Sequence, residues 1–412
     1  MRRAAVALLL PCATLYAQVM VSERRLGAAL TALEETSPPK TLHCSVAPIH
    51  PQLNYSFRFQ AGYVVTIPMN QFEGPGHRWR MVTRITPDEG ERRPVYLASG
   101  YALPVVPPNK VEVQVGGGYL LGEGGYEVRH LLFDETGRAC RRDWHVEVRR
   151  GRGESKVRVA MPPGSVLDFS LRGSRARSTV TPDDARPIRL TILLHAAPMF
   201  PRRTRLRTSD ILTLLASVTS VVERVPATSV RLVAFNLDQQ RVLFRKDGFG
   251  LADLPAVAEA MTRIELGLVD AKVLENRRGH VETIAGLVHS ELTAEPASDA
   301  VVFLGPMSRY SDKPPAEAIE RAADQPHFLF FRLAPVFHAR GGPVVLMEPA
   351  LADSIQYAVS RLGGKSLAIH TPGDLAKAID RLEQATAPRR NGLEAGTKKT
   401  APPVGRTVRG GR

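Results

Sequence analysis

Three cysteines and two tryptophans in 412 residues are few, and no apolar run after the first residues is long enough to cross a bilayer. There is no Cys-x-x-Cys pair, which excludes a thioredoxin-type centre and the usual cysteine–histidine zinc modules. No Gly-x-Ser-x-Gly elbow and no His-Glu-x-x-His helix occurs, so the common hydrolase and metalloprotease readings have no anchor. Gly363-Gly364-Lys365-Ser366 has Val359 where a phosphate loop needs glycine, and a strand-like pattern follows it where the phosphate-binding helix should start. Gly122, Gly124 and Gly125 fall in a β-hairpin pattern, not in the strand–turn–helix that a dinucleotide fingerprint requires. Basic residues are not gathered at helical spacing or interleaved with aromatics, so no specific nucleic-acid partner is expected.

Apolar residues make up 43% of the chain, enough for two cores, and its length exceeds what one core usually organises. The N-terminus reads as a secretory signal peptide over residues 1–17: Arg2 and Arg3, an apolar run from Ala4 to Leu10, and a small residue at Ala17. Maturation is expected near Gln18, and the destination is periplasmic or secreted. A lipoprotein anchor would use Cys12, but Pro11 beside it is unfavourable. Cys44 and Cys140 then remain, and in an oxidising compartment they either pair as a disulfide or stay as buried thiols. The net charge of +14 is uneven: from Pro388 onward seven Lys and Arg face one Glu. That basic tail, residues 387–412, has the composition of a disordered segment, open to weak contact with an anionic envelope surface.

Between these ends the texture changes twice. Residues 18–40 read as a leading helix, with Leu26, Ala29, Leu30 and Leu33 at helical spacing, and a linker at Pro38-Pro39. Residues 41–150 alternate in short runs separated by turn clusters, Gly116-Gly-Gly118 among them, and predict an all-β sandwich. Residues 151–187 read as a connector with one or two strands, its Arg172, Arg175 and Arg177 facing solvent. Residues 188–386 alternate strand and helix, which predicts a doubly wound α/β sheet. The chain is therefore expected to be multi-domain, an N-terminal all-β sandwich followed by an α/β doubly wound, Rossmann-like domain.

The stretch from Tyr119 to Arg138, with Tyr126 and the later Trp144 as core or corner aromatics, resembles the late hairpin of an immunoglobulin-like sandwich. The second half resembles the von Willebrand factor type A fold, and within it the bacterial secreted VWFA-related proteins. The resemblance rests on the strand Arg189–His195, the hairpin Val230–Phe244, the strand Ala300–Leu304 and the ending Ala358–Ile379. Members of that family hold a divalent cation with an Asp-x-Ser-x-Ser loop, a threonine and an aspartate. Here the matching positions are His195, Ala197, Met199, His280 and Pro306, so the oxygen donors that suit magnesium or manganese are replaced.

These observations lead to the expectation of a non-enzymatic secreted scaffold with a metal-free von Willebrand A-like domain, no cofactor, and an unknown protein partner. The expected contact is the loop after the first α/β strand, where exposed Met199 and Phe200 stand beside Arg202 and Arg203, although core burial of the two apolar residues is the competing reading. Two alternatives stay open. His195 and His280 could form a transition-metal site, or a cryptic enzyme with an acid such as Asp210. The arginine-rich connector and tail could instead bind a polyanion.

Overall fold

Alternating apolar residues between Ser45 and Val148 build two antiparallel sheets. The structure is a computed structural model, and it describes residues 18–34, 40–108, 110–169, 187–200, 203, 205–264, 273, 275–315, 319–320, 324–335, 337–339, 342–344 and 353–386. The expected signal segment, Arg172, Arg175, Arg177, Arg202 and the basic tail lie outside the described residues.

The first sheet has the order β1-β5-β4-β7-β8, from β1 (Val19–Val21), β4 (Arg78–Pro87), β5 (Val95–Ala102), β7 (Gly124–Asp134) and β8 (Ala139–Val148). The second has the order β2-β3-β6-β9, from β2 (Ser45–Leu53), β3 (Phe59–Pro68), β6 (Glu112–Leu121) and β9 (Val166–Asp168). They share one core, in which Tyr63, Val65 and Ile67 of β3 join Trp79, Met81 and Ile85 of β4. Tyr126 is fully buried, and its hydroxyl donates to the Gly122 carbonyl at 2.9 Å, which pins the crossing from β6 to β7.

Three sequence expectations change here. Gly116–Gly118 belongs to β6 instead of a turn, because that strand runs tight against its neighbour: a Cβ on Gly116 would meet the Tyr63 carbonyl at 2.9 Å, and one on Gly117 would strike the Tyr63 ring. Since β6 and β7 lie in different sheets, Gly122 and Glu123 form a crossover and not a hairpin turn, and Gly124 and Gly125 open β7. The leading helix, α1 (Ala28–Glu34), starts late because Gly27 takes φ +50°, a left-handed conformation that interrupts the first turn. The strand β2 went unseen for a different reason. Pro48 and Pro51 argue against a central strand, but β2 is an edge, where a missing N–H costs no ladder bond.

The β region also reaches beyond Arg150. Val157, Met161 and Val166 are buried, and β9 pairs with β6, so one short strand of the expected connector completes the second sheet. Cys44 and Cys140 are bonded across 96 residues with Cα atoms 6.0 Å apart, tying the approach to β2 onto β8 of the opposite sheet. Replacing both with serine is expected to lower stability by about 2–4 kcal/mol, because a long closed loop is released in the unfolded chain. Urea denaturation reads this directly, and an unchanged midpoint would mean the bridge adds nothing.

The second region is a six-stranded sheet of order β12-β11-β10-β13-β14-β17. Its strands are β10 (Ile188–His195), β11 (Ala227–Asn236), β12 (Arg241–Lys246), β13 (Ala300–Gly305), β14 (His327–Leu333) and β17 (Lys365–Ile369). All pairings are parallel except β11 with β12. A short hairpin, β15 (Phe337–Ala339) with β16 (Gly342–Val344), follows β14. The helices are α2 (Thr208–Arg224), α3 (Leu254–Thr262), α4 (Gly279–Leu292), α5 (Ser354–Arg361) and α6 (Pro372–Thr386). Side chains of successive strand residues point to opposite faces, so β10 feeds two cores. Leu190, Ile192 and Leu194 pack with α2, α3 and α6, while Leu193 packs with α4 and α5. Helices on both faces explain why these strands read as unbroken apolar runs. No helix among the described residues is long and apolar enough to cross a membrane.

The two regions meet. The β2–β3 turn docks on α2: Arg58 grips Glu223 through two hydrogen bonds of 3.1 and 2.7 Å, the Ser220 hydroxyl donates to the Tyr55 carbonyl, and the Tyr55 hydroxyl donates to the His370 carbonyl at 2.8 Å. Both members of the ion pair are almost fully buried.

Candidate functional site

The order of the six strands reverses direction between β10 and β13, and the carboxyl edge at that reversal is where open α/β sheets form their binding crevice. His195, the last residue of β10, is buried there. Its Nδ1 lies 3.0 Å from the Pro306 carbonyl oxygen, and its ring stacks on Phe235 with centroids 5.3 Å apart. A carbonyl only accepts, so Nδ1 carries the hydrogen. Burial holds the imidazole below the ordinary histidine range and keeps it neutral. Gly305 makes this contact possible. It has φ +147°, and a Cβ there would meet the His195 carbonyl oxygen at 2.6 Å.

The loop after β10 is fixed from below. Asn236, ending β11, donates to the Ala196 carbonyl at 2.7 Å and accepts from the Gln239 N–H at 2.8 Å. Ala197 is buried, and its N–H donates to the His195 carbonyl at 3.0 Å. Met199 is 3% exposed and belongs to the core that includes Ile211 and Leu214. This corrects the expectation of an exposed contact at Met199: the loop turns inward and spends that side chain on α2. Phe200 is half-buried under the Arg203 guanidinium, which stands 3.9 Å from the ring centroid.

His280 sits in the first turn of α4, also buried. Its Nε2 is 2.9 Å from Asp312 Oδ2, and its ring stacks on Tyr310 at 4.0 Å. Burial raises the Tyr310 phenol above its ordinary range, and the Asp238 carboxylate facing it adds to the effect. Asp238 also lies 3.6 Å from Arg309 and acts on His195 through its charge. Each histidine thus has its own partners, His195 the Pro306 carbonyl and His280 the Asp312 carboxylate, with Asp238, Arg309 and Tyr310 among the groups that neighbour them.

Asp210 does not join them. It is buried at the start of α2, where its Oδ2 accepts the Arg207 N–H at 2.9 Å, so its carboxylate closes the first helical turn. The acid that a histidine-based enzyme would have borrowed is committed to that cap. Among the described residues no group of three or more His, Cys, Asp or Glu is placed to hold a metal ion. Sequence reasoning singled out His195, His280 and Pro306 but passed over Arg309, Tyr310 and Asp312. Their one visible signal was the polar run that directly follows the buried strand Ala300–Gly305.

No family model matches the chain, and no curated protein does. Among solved structures, a Bordetella pertussis protein described as ApaA aligns over 28% of this chain and all of its own length, at 18% identity and a TM-score of 0.20. A lipoprotein from Bacteroides thetaiotaomicron aligns over 30% of this chain and 94% of its own, at 6% identity and a TM-score of 0.15. Likenesses this small define no shared fold.

Proposed function

We propose that the protein is a secreted or periplasmic binding scaffold that works without catalysis. In this reading its α/β region is a von Willebrand A-like domain lacking the cation site, and its β region an immunoglobulin-like sandwich. The observation that carries the proposal is the contact between His195 and Pro306 at the strand-order reversal. Two positions that would each present an oxygen donor are occupied by an imidazole N–H and the carbonyl it binds, with Ala197 and Met199 buried beside them. The strand order and the single antiparallel strand β12 are in keeping with that domain type. The sandwich assignment draws support from two facing sheets and the corner hydrogen bond of Tyr126. Strand β1, which pairs with β5 from Val19 onward, supports maturation near Gln18 by giving the residues just after that point a place in the sheet.

The test is the melting temperature of the mature protein with magnesium, manganese, calcium or zinc. A ligand that binds only the folded state raises the melting point increasingly as its concentration exceeds its dissociation constant, so no shift is expected with any of the four. A saturable shift with magnesium or manganese would overturn the metal-free reading. One with zinc alone would restore a site at His195 or His280.

A further inference from the structure

We infer that the carboxyl edge of the six-stranded sheet captures an acidic segment of a partner protein directly through arginines. This rests on the scaffold reading and adds the partner's chemistry to it. Arg205 and Arg207 lead into α2, Arg241 opens β12, and Arg277 and Arg278 lead into α4; all five are exposed. Among the described residues none of them has a carboxylate partner within ion-pair distance. Arginines elsewhere among the described residues are in part paired, as in Arg58 with Glu223 at 2.7 Å, Arg129 with Asp143 at 3.1 Å and Arg231 with Glu291 at 3.2 Å, and in part not, as at Arg24 and Arg25; what sets these five apart is their place on three neighbouring segments of one sheet edge.

The three segments that carry them are held together. Arg309 donates to the Arg203 carbonyl and reaches Asp238 at 3.6 Å, joining the loop before α2 to the β11–β12 turn. From that turn Gln240 donates to the Asn276 carbonyl at 2.9 Å, joining it to the approach to α4. Three of the acids along this rim are already engaged, Asp238 with Arg309, Asp312 with His280, and Glu282 with the Asn276 amide at 2.8 Å, while Glu275 is exposed beside Arg277. What faces solvent is a set of guanidinium forks that match carboxylates in pairs of parallel hydrogen bonds. Their mutual repulsion is relieved when acidic groups arrive.

The partner is a protein rather than a nucleic acid. Single-stranded nucleic acid needs open aromatic faces for its bases, and the rings at this rim are covered, Phe200 by Arg203 and Tyr310 by His280.

The experiment uses the full mature chain and a fluorescein-labelled glutamate-rich peptide, read by anisotropy at physiological salt with chelator present. Arg205→Glu with Arg207→Glu, and separately Arg241→Glu with Arg278→Glu, are expected to weaken binding about tenfold or more. The same charge change at the exposed Arg24 and Arg25 of the β region is expected to alter it less than about twofold. Melting curves confirm that each variant is folded, and since all these side chains are exposed, folding should be kept. No binding, or equal loss in the edge and control variants, would overturn the inference. So would heparin or DNA binding more tightly than the peptide and losing affinity with the same edge reversals. Binding that appears only when a divalent ion replaces the chelator would overturn the metal-free scaffold itself, whereas metal-independent binding indifferent to the edge reversals defeats this inference alone.

Discussion

Replacing Glu223 with alanine is expected to lower the free energy of unfolding by about 3–5 kcal/mol, because it strands the Arg58 guanidinium in a buried site. Both side chains are nearly inaccessible, at 3% and 5% exposure, so solvent cannot take over the lost partner. Among the described residues the Arg58 guanidinium would keep its bond to the Ser56 carbonyl at 2.9 Å. The reverse change, Arg58→Ala, should cost a similar amount by taking the guanidinium away from a buried carboxylate. A double replacement with apolar side chains, Arg58→Met with Glu223→Leu, should recover most of the loss, since no charge is then left to bury. Urea denaturation of the four proteins reads the cycle. Additive losses, with no recovery in the double variant, would show that the pair does not couple the two regions. The Arg224 guanidinium over Phe57, 5.1 Å from the ring centroid, closes the same joint.

Acid should weaken the β region through His130 well before its surface carboxylates are protonated. The imidazole is fully buried in β7 with Nδ1 3.0 Å from the Thr83 hydroxyl, its ring lies 4.2 Å from that of Tyr63, and burial pushes its pKa down to about 3. In the unfolded chain it titrates near its ordinary value of 6.5. The folded state thus excludes a proton that the unfolded state binds. This contribution is fully present above pH 6.5 and is lost progressively as pH falls toward 3, amounting to about 3 kcal/mol between pH 7 and pH 4. Asp353 acts in the opposite sense. Burial raises its pKa to about 6, so it favours the folded state at low pH and loses that contribution as pH rises from 3.8 through 6. Comparing the protein with His130→Phe separates the two, because Asp353 is common to both. The wild type should lose about 3 kcal/mol more than the variant over that range, and parallel pH profiles would show that His130 does not resist protonation.

The α/β region was largely legible in the sequence because its signals are local and repeat. The unbroken apolar runs at Ile188–Leu194 and Ala300–Leu304 can be satisfied only by strands covered on both faces, and both are strands. The helical spacing from Ser209 to Glu223 matches α2 within a residue at each end. The β region was less legible. Its glycine-rich strand β6 and proline-bearing edge strand β2 carry residues that ordinarily mark turns, and only their neighbours make them strands.

At the candidate site the division is the same. That His195, His280 and Pro306 carry no side-chain oxygen can be read along the chain, because it is a matter of residue type. Which group each histidine meets cannot, because Pro306 is 111 residues from His195 and Asp312 is 32 from His280. Sequence by itself determined the strand–helix alternation of the second region and the switch to it from a period of two near Pro187. Tertiary structure alone decided that Met199 is core, that Cys44 meets Cys140, that Arg58 finds Glu223, and that the segments carrying Arg205, Arg241 and Arg278 are joined at one sheet edge. The reason is physical: periodicity records which way a side chain points relative to its own backbone, whereas burial, pairing and charge balance depend on atoms that the fold brings in from distant parts of the chain.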